Sequence, residues 1–221
     1  FKPHQLPDMR EFTDTWRELA VKAGLSGLYF VGHSPYRWDP HKFGFDAVED
    51  SALPPLIERR KWHRPFKRLK WELKRLSNRP TVYRYKDILE AFVEDTANRS
   101  TGVRRHPCVV PGWDNTPRSR ANGLVLHGSH PELFRRQVRI ALRHVERQDV
   151  EHRIVFLKSW NEWAEGNYVE PDLRFGKGYL EALRAEISEI SEPTGATADW
   201  RAVKQAAAEP CHTDSLMKTR A

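Results

Sequence analysis

Ile154-Val155-Phe156-Leu157-Lys158-Ser159-Trp160-Asn161-Glu162-Trp163-Ala164-Glu165-Gly166 is an apolar run that turns abruptly into aromatic, amide and carboxylate residues. Apolar residues in succession, without alternation, mark a parallel strand covered on both faces. The reading is a strand over 153–159 that leaves its sheet into a polar loop. The same grammar repeats upstream. Periodicity predicts a helix over 8–23, with Asp8 as N-cap, Phe12, Trp16, Leu19, Ala20 and Ala23 on one face, and Gly24 as the stop. A strand over 27–31 follows, then a helix over 86–98, a strand over 107–110, and a helix from Pro131 to about Arg147 behind Ser129 and His130. A last helix, 177–191, carries Leu180, Leu183, Ile187 and Ile190 on its packing face.

Helices alternating with buried strands specify an α/β protein with a parallel sheet. A (β/α)8 barrel needs about 250 residues and eight strands. The expected fold is therefore the C-terminal part of a TIM-type barrel with its N-terminal strands missing, Phe1-Lys2-Pro3 being the stub of the preceding strand. Residues 1–191 would form this domain. From 192 to 221 the chain turns to Pro, Thr, Gly, Ala and Ser, the composition of a disordered tail. Barrel chemistry sits at the C-terminal ends of strands, where three clusters fall: Gly32-His33-Ser34, Trp113-Asp114-Asn115-Thr116-Pro117-Arg118, and Asn161-Glu162-Trp163.

The last cluster has the chemistry of a glycan-processing site. Cleaving or forming a glycosidic bond commonly takes one carboxylic acid to protonate the leaving oxygen and a second carboxylate as base or nucleophile. Glu162 and Glu165 supply such a pair. Two neighbouring carboxyls under indole rings are expected to titrate apart, leaving one protonated near neutrality. Trp160 and Trp163 offer flat apolar faces to a sugar, and Asn161 an amide. In the middle cluster, Trp113 can stack on a ring while Asp114, Asn115 and Arg118 can bind hydroxyls or an anion; a turn in which Asp114 and Asn115 bond the local backbone explains the same residues equally well. His33, His127 and His130 lie near strand ends, where ordinary loop histidines are the more common outcome. Lys158 shares a strand face with Trp160 and Glu162, so it either pairs with Glu162 or reaches for solvent.

Composition narrows the alternatives. In 221 residues with 39% hydrophobic content there is room for one sizeable core. Cys108 and Cys211 are far apart, which argues against a disulfide framework and for a reducing compartment. No metal-ligand spacing and no membrane-spanning run occurs, and no cofactor is expected. Residues 58–79 hold ten Lys or Arg against two Glu, with Trp62, Phe66, Leu69, Leu73 and Leu76 at helical spacing. This basic amphipathic segment is either an insertion packed on its own domain or a peripheral contact with an anionic membrane. It supplies much of the net charge of +7. With the charge concentrated there and no binding motif beside it, nucleic acid is not an expected partner.

The run Trp160-Asn161-Glu162-Trp163-Ala164-Glu165-Gly166-Asn167-Tyr168-Val169-Glu170-Pro171-Asp172, the segment Pro111-Gly112-Trp113-Asp114-Asn115-Thr116-Pro117-Arg118, and Leu6-Pro7-Asp8 with Trp16-Arg17-Glu18-Leu19-Ala20 together resemble the WbsX-like family. The resemblance covers about residues 1–190. It implies a glycosyltransferase of lipopolysaccharide and O-antigen biosynthesis, with a domain similar to glycoside hydrolase family 99. Family 99 enzymes are retaining (β/α)8 endomannosidases with an Asn-Glu-Trp-His-Glu-Gly motif. By that motif, Glu162 would deprotonate the substrate 2-hydroxyl to give an anhydro-sugar, and Glu165 would be the general acid. Two positions depart from the glycosidase pattern: Ala164 replaces His, as in the WbsX-like version, and Trp113 replaces Tyr.

The function expected is a carbohydrate-active enzyme, transferase or hydrolase, acting on an oligosaccharide or polysaccharide of the bacterial surface, lipid-linked and nucleotide-sugar forms included. Its expected location is cytoplasmic, peripheral to the inner membrane. The alternative is a catalytically inactive glycan-binding protein or truncated remnant.

Overall fold

The computed structural model describes residues 6–33, 39–51, 79–98 and 102–191. The stub at Phe1-Lys2-Pro3, the basic segment apart from Arg79, and the tail 192–221 lie outside the described residues. The elements in chain order are α1 (Met9–Lys22), β1 (Val31–His33), β2 (Ala47–Ser51), β3 (Thr81–Arg84), α2 (Tyr85–Asn98), β4 (Arg104–Val109), a single turn α3 (Thr116–Ser119), β5 (Leu124–His127), α4 (Pro131–Val145), β6 (Phe156–Leu157), β7 (Asn161–Glu162), β8 (Asn167–Tyr168) and α5 (Gly178–Ser191). This is a mixed α/β architecture. Its main sheet is parallel in the order β1-β2-β4-β6, so each strand lies beside the next one of the sheet in chain order.

A second parallel pair joins β3 to β5, with Tyr83 opposite Leu126. Helices α2 and α4 close over the sheet. Tyr85, Ile88, Leu89 and Phe92 from α2, and Phe134, Val138 and Ala141 from α4, meet Val109 and Val110 in one apolar core, which Tyr179 and Ala182 of α5 extend. Two buried polar side chains fix the end of β4 inside this core. Gln137 accepts from the Val110 N–H at 3.0 Å, and the Tyr85 hydroxyl oxygen lies 2.7 Å from the Val110 carbonyl. Helix α5 is clipped to α4 by Glu186, 2% exposed, which accepts from Arg135 at 2.6 Å and from Arg139 at 2.7 and 2.8 Å.

All four predicted helices are present with bounds within two residues; the largest shift is at the end of α4, which stops at Val145. The face expected on α1 is different. Of that face Ala20 is buried as expected, but Phe12, Trp16 and Leu19 are each 49% exposed, and Met9 and Thr13 are buried instead. Polar anchoring sets that rotation: Arg17 donates to the Gly44 carbonyl at 2.8 Å and to Asp46 at 2.9 Å, and the Thr13 hydroxyl lies 3.3 Å from the Phe43 carbonyl. Asp8 occupies the N-cap position without a side-chain cap bond.

The first strand begins later than the apolar run suggests. Phe30 donates its N–H to the Asp46 carboxylate at 2.7 Å rather than to a neighbouring backbone, so the ladder starts at Val31. Tyr29 is 38% exposed there, which corrects the expectation of cover on both sides. The third predicted strand shortens to Phe156–Leu157, with Lys158 donating to the Val109 carbonyl at 2.9 Å as the last rung.

Among the described residues, no helix is long and apolar enough to cross a membrane.

Candidate active site

Beyond Lys158 the chain makes a compact hairpin. Strands β7 and β8 pair antiparallel, Asn161 with Tyr168 and Glu162 with Asn167. The turn 163–165 ends on Gly166, which sits in the left-handed region at φ 55°. Asn167 is buried and anchors the hairpin base: its Oδ1 accepts from the Ser159 N–H at 2.9 Å, and its carbonyl accepts from the Ser159 hydroxyl at 3.0 Å. Glu162 is therefore the residue at which the chain enters the turn and Glu165 the one before it leaves. Both carboxylates belong to one short, closed loop.

The indoles beside them are not buried lids. Trp160 is 52% exposed and Trp163 is 49% exposed. Trp163 lies flat on Tyr168, with ring centres 3.7 Å apart and planes 15° from parallel, and its N–H donates to Glu170 at 2.7 Å. One face of the indole is thus packed and its N–H satisfied, leaving the other face as a rigid apolar platform of the kind a sugar ring uses.

The middle cluster packs directly on this hairpin. The Asp114 N–H donates to the Glu165 carbonyl at 2.7 Å, and Arg118 Nη1 meets Glu165 Oε1 at 3.1 Å. Glycines permit the approach: a Cβ on Gly166 would stand 3.1 Å from the Asp114 nitrogen, and one on Gly112 3.1 Å from the Gly166 carbonyl. Asp114 and Asn115 follow the turn reading. Asp114 Oδ1 accepts from the Thr116 N–H at 3.0 Å and the Thr116 hydroxyl at 2.6 Å, while Asn115 Oδ1 accepts from the Leu124 N–H at 2.7 Å. These oxygens shape the loop that presents Trp113 and Arg118.

Lys158 neither pairs with Glu162 nor stands free. Its ammonium lies 5.0 Å from the centre of the Trp113 ring and lends positive charge to Glu49 and Cys108. Of the three histidines expected near strand ends, His127 closes β5 and is exposed. His130 caps α4, its Nδ1 accepting from the Glu132 N–H at 3.2 Å. His33 is the exception, because its Nδ1 is in a close contact with Glu49 Oε2.

Glu49 was not visible as a site residue in the sequence. Burial pushes its pKa up, but hydrogen bonds from His33 and Cys108, with further electrostatic help from His33 and from the Lys158 ammonium, outweigh that and hold it below the usual carboxylate value. Burial and the Glu49 charge push the Cys108 thiol far up, so it is neutral. The available signal was slight, the apolar pair Ala47-Val48 just after Phe45. Two acidic residues in five hid it as a strand.

A solved glycoside hydrolase-like protein aligns with 82% of this chain and 50% of its own, at a TM-score of 0.48 and 17% identity. Two curated relatives, both uncharacterized WxcX proteins from strains of Xanthomonas campestris pv. campestris, are 27% and 28% identical over 85% of this chain. The chain spans 26% of the length of each of them. The family model described as Glycosyltransferase WbsX matches residues 1–183. The chain belongs to the glycosyltransferase WbsX family.

Proposed function

We propose that this chain carries the acid–base part of a site that makes or cleaves glycosidic bonds in bacterial surface polysaccharide, of the lipopolysaccharide or O-antigen kind. The observation that carries the reading is the hairpin that holds Glu162 and Glu165 on either side of one turn, with the half-exposed faces of Trp160 and Trp163 beside them. In this reading Glu162 accepts the proton of the sugar 2-hydroxyl as that oxygen closes on the anomeric carbon. Glu165 gives its proton to the departing oxygen as the glycosidic C–O bond breaks. An incoming hydroxyl then opens the anhydro-sugar with the two roles reversed. Water gives hydrolysis and an acceptor sugar gives transfer.

The parallel order β1-β2-β4-β6 supports a partial TIM-type barrel, with Glu162 and Glu165 beyond the C-terminal end of its last strand. Work at the cytoplasmic face of the inner membrane, with 58–79 as a peripheral anchor, belongs to the same reading.

One observation favours a second reading, glycan binding without chemistry. Arg118 is a partner for a carboxylate, and a general acid must part from it to carry a proton. Arg118 is 59% exposed but the Glu165 side chain only 22%, so solvent screens the pair in part and parting carries a cost that the acid role must bear. The test is the full-length protein against nucleotide-sugar donors and α-mannan-type acceptors, read by mass spectrometry. New or shortened glycans support chemistry. Binding with no product supports the second reading.

A further inference from the structure

Parallel register places a row of polar groups on one face of the main sheet. His33 lies opposite Glu49, Glu49 opposite His106, and Cys108 opposite Phe156. Residues opposite one another share a face, and residues two apart in a strand do as well. His33, Glu49, His106, Cys108, Phe156 and Lys158 are therefore on one side, and Val109 and Leu157, packed under the helices, are on the other. The row faces away from the helical layer, on the side that becomes the interior when such a sheet curls.

Within this row, burial divides the groups sharply. Glu49 is 6% exposed and Cys108 1%, whereas the His33 side chain is 53% exposed although its Nδ1 is engaged by Glu49. A buried carboxylate that accepts from Nδ1–H fixes the neutral imidazole as the tautomer with a bare Nε2. The open part of the ring then holds an oriented acceptor. Its place is at the same end of the sheet as the carboxylate pair: His33 ends β1 and Lys158 follows β6. The contacts run on from Lys158 over Trp113 to Asp114, whose N–H holds the Glu165 carbonyl.

We propose that His33, oriented by Glu49, is a further substrate-contacting residue of this site, and that its Nε2 accepts a hydrogen bond from a sugar hydroxyl. The proposal rests on the glycan-processing reading and adds a residue to it. The negative charge of Glu49 beside the ring favours a neutral hydroxyl over an anionic group at this position. Glu49 is a positioning residue, acting through the ring it holds.

The test uses the full-length protein on an array of purified bacterial O-polysaccharides, with Glu162→Gln and Glu165→Gln as references. His33→Ala is expected to weaken binding about tenfold, the loss of one oriented hydrogen bond. His33→Gln, whose amide reaches the Nε2 position, should recover most of it. A nitrogen-15 imidazole spectrum, with the His33 signal assigned by its loss in His33→Gln, should show the proton on Nδ1. In Glu49→Gln that signal should move to a mixture of tautomers while the melting curve stays cooperative. Unchanged binding in His33→Ala, or a proton on Nε2 in the wild type, overturns the proposal and leaves the Glu162/Glu165 reading standing. A wild-type protein that binds no polysaccharide, with both references equally silent, overturns the reading and this residue with it.

Discussion

The Asp114 N–H donates to the Glu165 carbonyl over 2.7 Å, and the Arg118 guanidinium of the same loop reaches the Glu165 carboxylate at 3.1 Å. Backbone and side chain of one residue are thus held by two residues of another loop. The loop after β4 acts as a splint for the hairpin, so the position of Glu165 depends on how closely the two backbones approach.

That approach predicts a sensitive glycine. Gly166 sits at φ 55°, and a Cβ there would stand 3.2 Å from the Asp114 Cβ as well as 3.1 Å from its nitrogen. Left-handed backbone costs an L-residue roughly 1–2 kcal/mol before any contact is counted. Gly166→Ala is expected to lower stability by about that amount and to displace Glu165, cutting turnover more than its loss of stability explains. Chemical denaturation set beside steady-state kinetics measures both. An alanine variant with unchanged stability would show that the loops are not tightly seated.

Acid should loosen the protein in two steps. His106 is held below its usual 6.5 by burial and by the nearby Arg104 charge, so the unfolded chain takes that proton first. Stability from this group is present above about 6.5 and falls as the pH drops from there towards the folded-state value. Glu49 is held below its usual 4.5, so its contribution is present above about 4.5 and is lost as the pH falls through its folded-state value. Melting temperatures followed from about pH 8 to pH 3.5 should show both slopes. Glu49→Gln should flatten the lower one and keep the upper. A wild-type protein equally stable across this range would contradict both assignments.

Cys108 should be inert while the chain is folded. It is 1% exposed, and both burial and the Glu49 charge favour its neutral thiol, which is neither the nucleophile nor a metal ligand. Iodoacetamide followed by peptide mapping should leave Cys108 unmodified in native protein and label it fully in denaturant. Rapid native labelling would mean that the interior face of the sheet is open.

Much of this arrangement is legible in the sequence, for identifiable reasons. Helices α2 and α4 carry apolar residues at helical spacing that do meet in the core, Ile88, Phe134 and Val138 among them, whereas of the face expected on α5 Leu180 and Leu183 pack there and Ile187 is 49% exposed. The hairpin glycine and the turn chemistry of Asp114 follow from residue type. What was hidden is hidden by charge. β2 does not read as a strand because Glu49 and Asp50 break its apolar pattern, and Glu49 is tolerated there through His33 and Lys158, which come from other strands or follow them. The aromatic stripe on α1 misled because Thr13 and Arg17, not Phe12 or Trp16, make the contacts that orient the helix. The basic segment 58–79 lies almost wholly outside the described residues.

The most direct measurement is turnover by Glu165→Gln in the full-length protein, on the polysaccharide or acceptor that the wild type modifies. Glutamine keeps the size of the side chain and its reach towards Arg118 but cannot deliver a proton. Turnover is expected to fall by about 10²–10⁴-fold, the usual contribution of a positioned acid, with glycan binding retained. Turnover close to that of the wild type would contradict the assignment of Glu165 as the acid.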